Sequence, residues 1–346
     1  MDVLSDVISA MRIGRPASAR VRRHAPWGRR YPPVPGAAFH VILQGACWLL
    51  PSDGSPLALG PGDVVFLPRE FDHGLADAPS TPLTEPFCVP GENGLLFGLR
   101  EEFPPDAAGQ GSGVPSVTLC GAYQFDPSRA HPLLNDLPEV VHLPARLGHH
   151  PELRAAVDLL GGELENSRLG ADAVVPALLD VLLLFILRAW FADQPEHGTA
   201  TGWAAALGDP AIIAALSGIH RDPARQWTVE ELGAQAGLSR AAFARRFTAL
   251  VGQPPLTYLT WWRMTTAARL LHDSDAPLNT VAQQIGYTSE FAFANAFKRE
   301  YGTAPGKYRR QSRAGTQSSE LDAMASPPPV VTSSVSSTKQ LIPDRR

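Results

Sequence analysis

The spacing of apolar positions changes several times along the chain. Near the start, Val3, Leu4, Val7, Ile8 and Met11 recur at steps of three and four, which predicts a short amphipathic helix within residues 1–15. From Ala19 to about Cys120 the texture becomes short β-rich runs cut by Gly and Pro. Residues 39–50 read as a hairpin-like pair broken at Gln44 and Gly45, and Pro61-Gly62-Asp63 turns the chain into a strand over 64–67. Many short strands with such turns predict a β-barrel or sandwich. Residues 79–114 are irregular, with a flexible loop expected around Leu95, Leu96 and Phe97. Pairing resumes near 116–125, and 133–147 closes the barrel. Helical spacing follows over 151–167 and 171–191, the second apolar almost all round, as a dimer-forming helix would be. Leu184 and Leu187 are expected on that interface.

The last third carries the strongest pattern. Thr228 and Glu231 form a capping box, Leu232 and Ala236 share a face, and Gly237 ends the helix. Ser239 caps the next helix, whose buried stripe is Phe243, Phe247 and Leu250, with Arg240, Arg245 and Arg246 opposite. A helix, a tight glycine turn and a helix with a basic outer face is a helix-turn-helix reader of DNA. About fifty residues on the pattern repeats: Val281, Ala282 and Ile285 on a face, Gly286 at the break, Ser289 as cap, Phe293 and Phe297 as stripe. A long helix over 255–273 connects the two units, with Tyr258, Leu259, Trp262, Ala267, Leu270 and Leu271 as its apolar side. Such a pair predicts contact with successive major grooves on one DNA face.

Charge sharpens this reading. The chain has 346 residues and a formal charge of −4, which alone speaks against nucleic acid. Residues 210–315, however, hold 13 Lys and Arg against 7 Asp and Glu, a net +6, which leaves −10 for the rest. Three cysteines, Cys47, Cys88 and Cys120, contain no CxxC pair, so a reducing cytoplasm is expected. The first residues lack the basic start of a signal peptide. The apolar run 173–191 approaches membrane length but contains Pro176, Asp180 and Arg188, so it reads as a buried or interface helix, with no membrane partner.

These motifs carry a resemblance. The stretches LSRAAFARRF, WWRMTTAARLL and IGYTSEFAFANAFKREYGTAPGKYRR, within 209–313, resemble the AraC/XylS family of bacterial transcription regulators. QGACWLL, LGPGDVVFLPREFDHGL and AHPLLNDLP are similar to the cupin-type sensor domain found in one branch of that family. The expected architecture is α+β: a cupin-like barrel over 1–147, a helical dimerisation segment over 148–194, a linker over 195–206, a double helix-turn-helix domain over 207–311 and a disordered tail over 312–346.

The resemblance implies DNA-facing positions at Ser239, Arg240, Ala241, Ala244 and Arg245 on the first reading helix. On the second it implies Glu290, Phe291, Ala294 and Asn295. Members of the family often carry Arg where this chain has Asn295, which weakens a guanine contact there. Phe291 either packs on a thymine methyl or folds back on the domain. Lys298, Arg299, Lys307, Arg309 and Arg310 read as phosphate clamps, and Arg263 resembles a phosphate contact of the family.

The cupin fold also hosts metal enzymes, whose pattern is H-x-H, a Glu and a later His. This chain has His40 without an H-x-H partner, His73 after Asp72, and His131, His142, His149 and His150 outside the expected strands, so no three-ligand site assembles by spacing and neither metal nor cofactor is expected. His40, Trp48 and His73 are instead candidates for a pocket taking an unknown small-molecule effector, or are merely barrel-lining. Cys47 and Cys120 fall on expected strands and form a redox switch if they face each other within disulfide reach; buried lone cysteines are more often small hydrophobes. The combined expectation is a cytoplasmic, homodimeric, ligand-responsive regulator, by resemblance an activator, with double-stranded DNA as partner, RNA polymerase as a further candidate partner, and no catalysis. The alternatives are a metal-dependent cupin enzyme fused to a DNA-binding domain, and a cysteine-based redox-sensing regulator.

Overall fold

The computed structural model describes residues 2–12, 16–34, 36–84, 89–90, 96–97, 115–125, 131–166, 168–194 and 202–312. The chain opens with α1 (Val3–Met11), capped by the Asp2 carboxylate, which accepts the Ser5 N–H at 3.0 Å. Strands β1 (Ala17–Arg23), β2 (Gly28–Tyr31), β3 (Ala37–Gln44), β4 (Cys47–Pro51), β5 (Leu57–Leu59), β6 (Val64–Leu67) and β7 (His73–Ala76) follow. Two-residue strands β8 (Val89–Pro90) and β9 (Leu96–Phe97) pair with each other. Then come β10 (Ser116–Tyr123), the short helix α2 (Pro132–Asn135) and β11 (Val141–Leu143). Leu95 and Cys88 of the expected flexible loop lie outside the described residues.

Two antiparallel sheets face each other, ordered β1-β10-β3-β6-β11 and β2-β7-β4-β5. The expected hairpin over 39–50 does not form. The chain does turn at Gly45, at φ 72°, but β3 pairs with β10 and β6 while β4 pairs with β5 and β7, so the turn carries the chain from one sheet to the other. The reason lies in β3, whose Phe39, Val41 and Ile42 are all fully buried. Ile42 joins Trp27, Tyr31, Cys47, Leu49, Leu59, Val65, Leu67, Leu75 and Cys120 between the sheets, while Phe39 and Val41 point the other way. A strand covered on both faces belongs in the middle of a sheet, where both edges find partners.

The outer face of the five-stranded sheet is covered by α1, α3 (Pro151–Glu165) and α4 (Ala171–Ala192). Helix α4 has the length and hydropathy of a membrane span, with a mean hydropathy of 2.1 and a third of that stretch buried. Its Asp180 pairs with Arg12, and Leu182, Leu183, Ile186 and Leu187 are fully buried. Leu187 is therefore core rather than interface. The exposed large apolar positions of the α3–α4 pair are Leu159, Val174 and Val181 on the helices and Leu169 in the turn between them.

The remainder is helical: α5 (Gly202–Gly208), α6 (Pro210–Arg221), α7 (Val229–Gln235), α8 (Arg240–Val251), α9 (Pro255–Asp273), α10 (Leu278–Gln284) and α11 (Glu290–Tyr301), then a helix over 305–312. Residues 202–206, expected in a linker, form most of α5, because Trp203 and Ala206 bury fully against the helical region. One apolar core runs from the barrel's outer face through α3–α4 to α5–α9, taking in Trp203, Phe243, Phe247, Tyr258 and Trp262. A separate core around Met264, Leu271, Ile285, Phe293 and Phe297 holds the second helix-turn-helix. The tail from 313 lies outside the described residues.

Candidate nucleic-acid interface and barrel cavity

The capping box forms as expected. The Thr228 hydroxyl accepts the Glu231 N–H at 3.1 Å, and the Glu231 carboxylate accepts the Thr228 N–H at 2.9 Å. Ser239 and Ser289, fifty residues apart, each cap a twelve-residue helix, through Ala242 N–H at 3.4 Å and Ala292 N–H at 3.3 Å. Both helices end on left-handed glycines, Gly252 at φ 84° and Gly302 at φ 67°. Phe243, Phe247, Phe293 and Phe297 are fully buried. On the opposite side Ser239, Arg240, Ala241, Arg245, Glu290, Phe291, Asn295, Lys298 and Arg299 are exposed, with Ala244 and Ala294 half-buried. Phe291 does not fold back: it is 77% exposed.

Two arginines make bonds within the fold that the sequence did not announce. Arg246 does not share the outward face with Arg245; its Nε donates to the buried Asp209 carboxylate, which also caps α6 through Ala211 N–H and Ile212 N–H. Arg263 is half-buried, and its Nε and Nη2 donate to the carbonyls of Pro223 at 2.7 Å and Arg225 at 2.9 Å. Its guanidinium organises the loop before α7. Arg309 likewise donates to Ala276 O at 2.6 Å. Sequence reasoning missed Gln226, whose side-chain amide donates to Gly286 O at 2.8 Å and joins this loop to the second helix-turn-helix. A lone polar residue in a loop carries no periodic signal.

Inside the barrel, His40 on β3 and His73 on β7 meet across the two sheets, with their Nε2 atoms 2.7 Å apart. The direction of each bond follows from one carbonyl. Phe71 O can only accept, so His73 Nδ1, 3.0 Å away, carries the proton. His73 Nε2 is then bare and accepts from His40 Nε2–H. His40 Nδ1 is bare in turn and accepts the Cys120 thiol proton across 3.1 Å. Tyr31 OH lies 3.8 Å from the Cys120 sulfur and accepts from Arg23 Nη2 at 3.2 Å. This scheme requires both imidazoles to be neutral. Burial does hold them so, pushing each down to about 3, with Arg23 adding to the effect on His40 and His40 to that on His73. Burial also pushes the Cys47 thiol up to about 12 and raises that of Cys120, so neither is a ready thiolate. Both cysteines are free.

Tyr31, His40, His73 and Cys120 line a cavity of about 40 Å³, shared with Ala38, Leu67, Arg69 and Phe71. That is room for a few waters, well short of the ~300 Å³ or more of a drug-sized ligand pocket. Trp48 is not part of it. Cys47 and Leu49 flank it on β4 and face inward, so Trp48 lies on the other face of that strand, half-buried and in register with Ala76. His142, expected outside the strands, lies on β11 and bonds Asp63 at 3.2 Å.

A second buried histidine chain joins the two halves of the molecule. His131 Nδ1 accepts the Leu133 N–H at 3.0 Å, so its Nε2–H donates to Tyr258 OH at 3.2 Å. Tyr258 then donates to His220 Nε2 at 2.7 Å, and His220 Nδ1 faces the Asp6 carboxylate at 3.5 Å. Burial lowers the pKa of both histidines, keeping them neutral. The chain runs from the turn before α2, through α9 and α6, to α1.

Comparison with known proteins agrees with this geometry. The cupin family profile matches residues 2–192, and a helix-turn-helix domain profile matches 232–311. A putative AraC-like transcription regulator from Streptomyces antibioticus is 36% identical over 313 residues, spanning 90% of this chain and 99% of its own. The HTH-type transcriptional regulator AlkR of Acinetobacter baylyi is 28% identical, over 90% of this chain and all of its own. The RCS-specific HTH-type transcriptional activator RclR of Escherichia coli is 30% identical, over 80% of this chain and 84% of its own. Among solved structures, the DNA-binding domain of AdpA in complex with a target DNA is 36% identical over 32% of this chain and 97% of that one, at a TM-score of 0.30. With its cupin domain followed by two capped helix-turn-helix units, this chain belongs to the AraC family of DNA-binding transcription regulators.

Proposed function

We propose that the chain is a cytoplasmic, homodimeric activator that places α8 and α11 in successive major grooves of duplex DNA and responds to a small effector in the barrel, whose cavity of about 40 Å³ has to widen to admit it. The observation that carries this is the equivalent, outward placement of Arg245 and Asn295, each six residues beyond its serine cap, on two helices joined by the nineteen-residue α9. At 1.5 Å per residue α9 is about 28 Å long, near the ~34 Å of one helical turn of DNA. Arg240, Arg245, Lys298 and Arg299 supply the charge that the phosphates need. Residues 1–147 are the sensor, 148–194 the dimerising hairpin and 202–312 the DNA-binding domain. RNA polymerase is the partner through which an activator of this kind acts. The chain is not an enzyme, in keeping with its relatives, which are regulators.

The test is selection of bound duplexes by the full-length protein, followed by footprinting. The expected site has two elements about one helical turn apart on one face. Protection of a single element overturns the two-groove reading. Iron, manganese or zinc held stoichiometrically in the barrel would instead favour the fused-enzyme reading.

A second reading rests on Cys120. Its thiol donates to the bare Nδ1 of His40 at 3.1 Å, so the pair has the geometry of a thiol with its base. Under this reading the effector is an oxidant that reaches the Cys120 sulfur. Loss of DNA response to oxidant in a Cys120→Ser variant, with the response of Cys47→Ser intact, separates it from a ligand-binding sensor.

A further inference from the structure

We propose a binding site for a divalent transition ion of the zinc type, formed by His149, His150 and Asp193. These residues lie away from the barrel cavity's lining and from both reading helices. Each offers one ligand atom, and the three atoms lie within 4.8 Å of one another. Sequence spacing hides the set, because Asp193 is 43 residues from His150. The fold joins them: α3 and α4 run as a hairpin, with the two histidines just before α3 and Asp193 as the C-cap of α4.

The backbone at His150 is unusual. It has φ 48°, the only positive φ outside glycine among the described residues, and no side-chain cap bond at its helix start. Few residues other than glycine adopt that conformation, though histidine does so more readily than most. The side chain it presents reaches the carboxylate, with Nε2 at 3.1 Å from both Asp193 oxygens. Donor atoms around a tetrahedral zinc, bonded at roughly 2.0–2.2 Å, sit about 3.3–3.5 Å apart, so the His150–Asp193 pair already has almost the right separation. His149 is exposed, which leaves its ring free to swing the remaining distance and a fourth position open to water. Two imidazoles and one carboxylate select zinc, nickel, copper or cobalt over calcium and magnesium, which prefer all-oxygen shells. An ion held there clamps the start of α3 to the end of α4, at the point where the chain leaves for α5.

The experiment is a zinc titration of the full-length, chelator-treated protein against a competing dye, with melting temperature read in parallel. Wild type takes up one zinc equivalent that His149→Ala and Asp193→Asn each weaken by more than about tenfold, since even loss of a supporting partner costs 10–100-fold. His150→Asn, which keeps a residue tolerant of the left-handed conformation, does the same. The zinc-dependent rise in melting temperature disappears in all three, while their melting without zinc stays near wild type for the exposed His149→Ala. A wild type that retains no zinc after dialysis against micromolar zinc overturns the proposal. So does an equivalent that survives unchanged in His149→Ala and Asp193→Asn, which would place the ion elsewhere, as at His40 and His73.

Discussion

Gln226 donates its side-chain amide to the carbonyl of Gly286, 2.8 Å away, and so latches the loop before the first helix-turn-helix onto the turn of the second. The two turn glycines are consequently not equivalent. Gly237 sits at φ 67° with open space around a would-be Cβ, while Gly286 sits at φ 83° with Ala224 O only 2.4 Å from one and Arg263 Nη2 at 2.8 Å. Gly237→Ala costs the conformational strain alone, about 1–2 kcal/mol. Gly286→Ala costs more than that, because backbone must also shift, and it loosens the second unit against the first. Urea unfolding of the two variants measures the difference, and equal losses would mean that the crowding by Ala224 and Arg263 is relieved without cost.

The reading helices are expected to differ in base preference. Arg can bond guanine O6 and N7 together, and Asn can bond adenine N6 and N7. Arg245→Ala should therefore relax preference at one base pair of one element at a cost of about 1–3 kcal/mol, and Asn295→Ala should do so in the other. Lys298→Ala should weaken all sequences alike and flatten the salt slope by about one unit. A base-by-base substitution scan of the selected site with each variant decides. If Asn295→Ala leaves every preference intact, α11 is a clamp, and specificity rests on α8.

Dimerisation should run through the exposed apolar positions of the α3–α4 hairpin. Leu159 is 61% exposed, Val174 42% and Val181 38%, on the sides of α3 and α4 turned away from the core. Leu159→Lys with Val181→Lys should halve the mass seen by light scattering and leave the circular dichroism spectrum unchanged. Leu187→Lys, by contrast, should unfold the chain, since that side chain is fully buried.

Stability should fall as pH drops below neutral. His40 and His73 are held down to about 3 and His131 and His220 are also depressed, so in each case the unfolded chain takes up a proton near its ordinary value of 6.5 while the folded one does not. Their contribution is complete above that value and is lost as pH falls through the window below it, by up to about 1.4 kcal/mol per pH unit for each histidine. Urea midpoints between pH 7.5 and 5 (roughly, the span in which the unfolded histidines charge) should show a slope that His40→Gln reduces. A slope unchanged by that substitution would mean His40 titrates normally in the fold.

The helical third was legible because its signals are local. Thr228 with Glu231, Ser239, Ser289 and the paired phenylalanines each act within a turn or two, and each sits where spacing put it. The connector α9 begins and ends at the expected residues, 255 and 273. What stayed hidden depends on contacts between distant segments. Nothing near Arg246 announces Asp209, and nothing near Arg263 announces the carbonyls of Pro223 and Arg225. In the barrel, His40 and His73 do line one cavity, but nothing in the sequence tells the two faces of β4 apart, and Trp48 lies on the face that does not touch it. The hairpin at Gly45 failed for a related reason. A turn is visible in sequence, but whether the next strand stays in the same sheet is decided by which faces are buried.

The shared core has a consequence for building chimaeras. The segment at 195–201 looks like the natural cut between a sensor and an interchangeable DNA reader, yet α1 packs on α6 and α9, and Asp6 faces His220. A foreign helical domain grafted after that cut would meet the apolar side of Val3, Val7, Ile8 and Met11, and the donor on His131, with surfaces never matched to them. The unit of exchange is therefore discontinuous. It is the C-terminal domain together with the first dozen residues of the chain and the α2 region from His131 to Asp136, and a graft that leaves those residues behind joins two halves that do not fit.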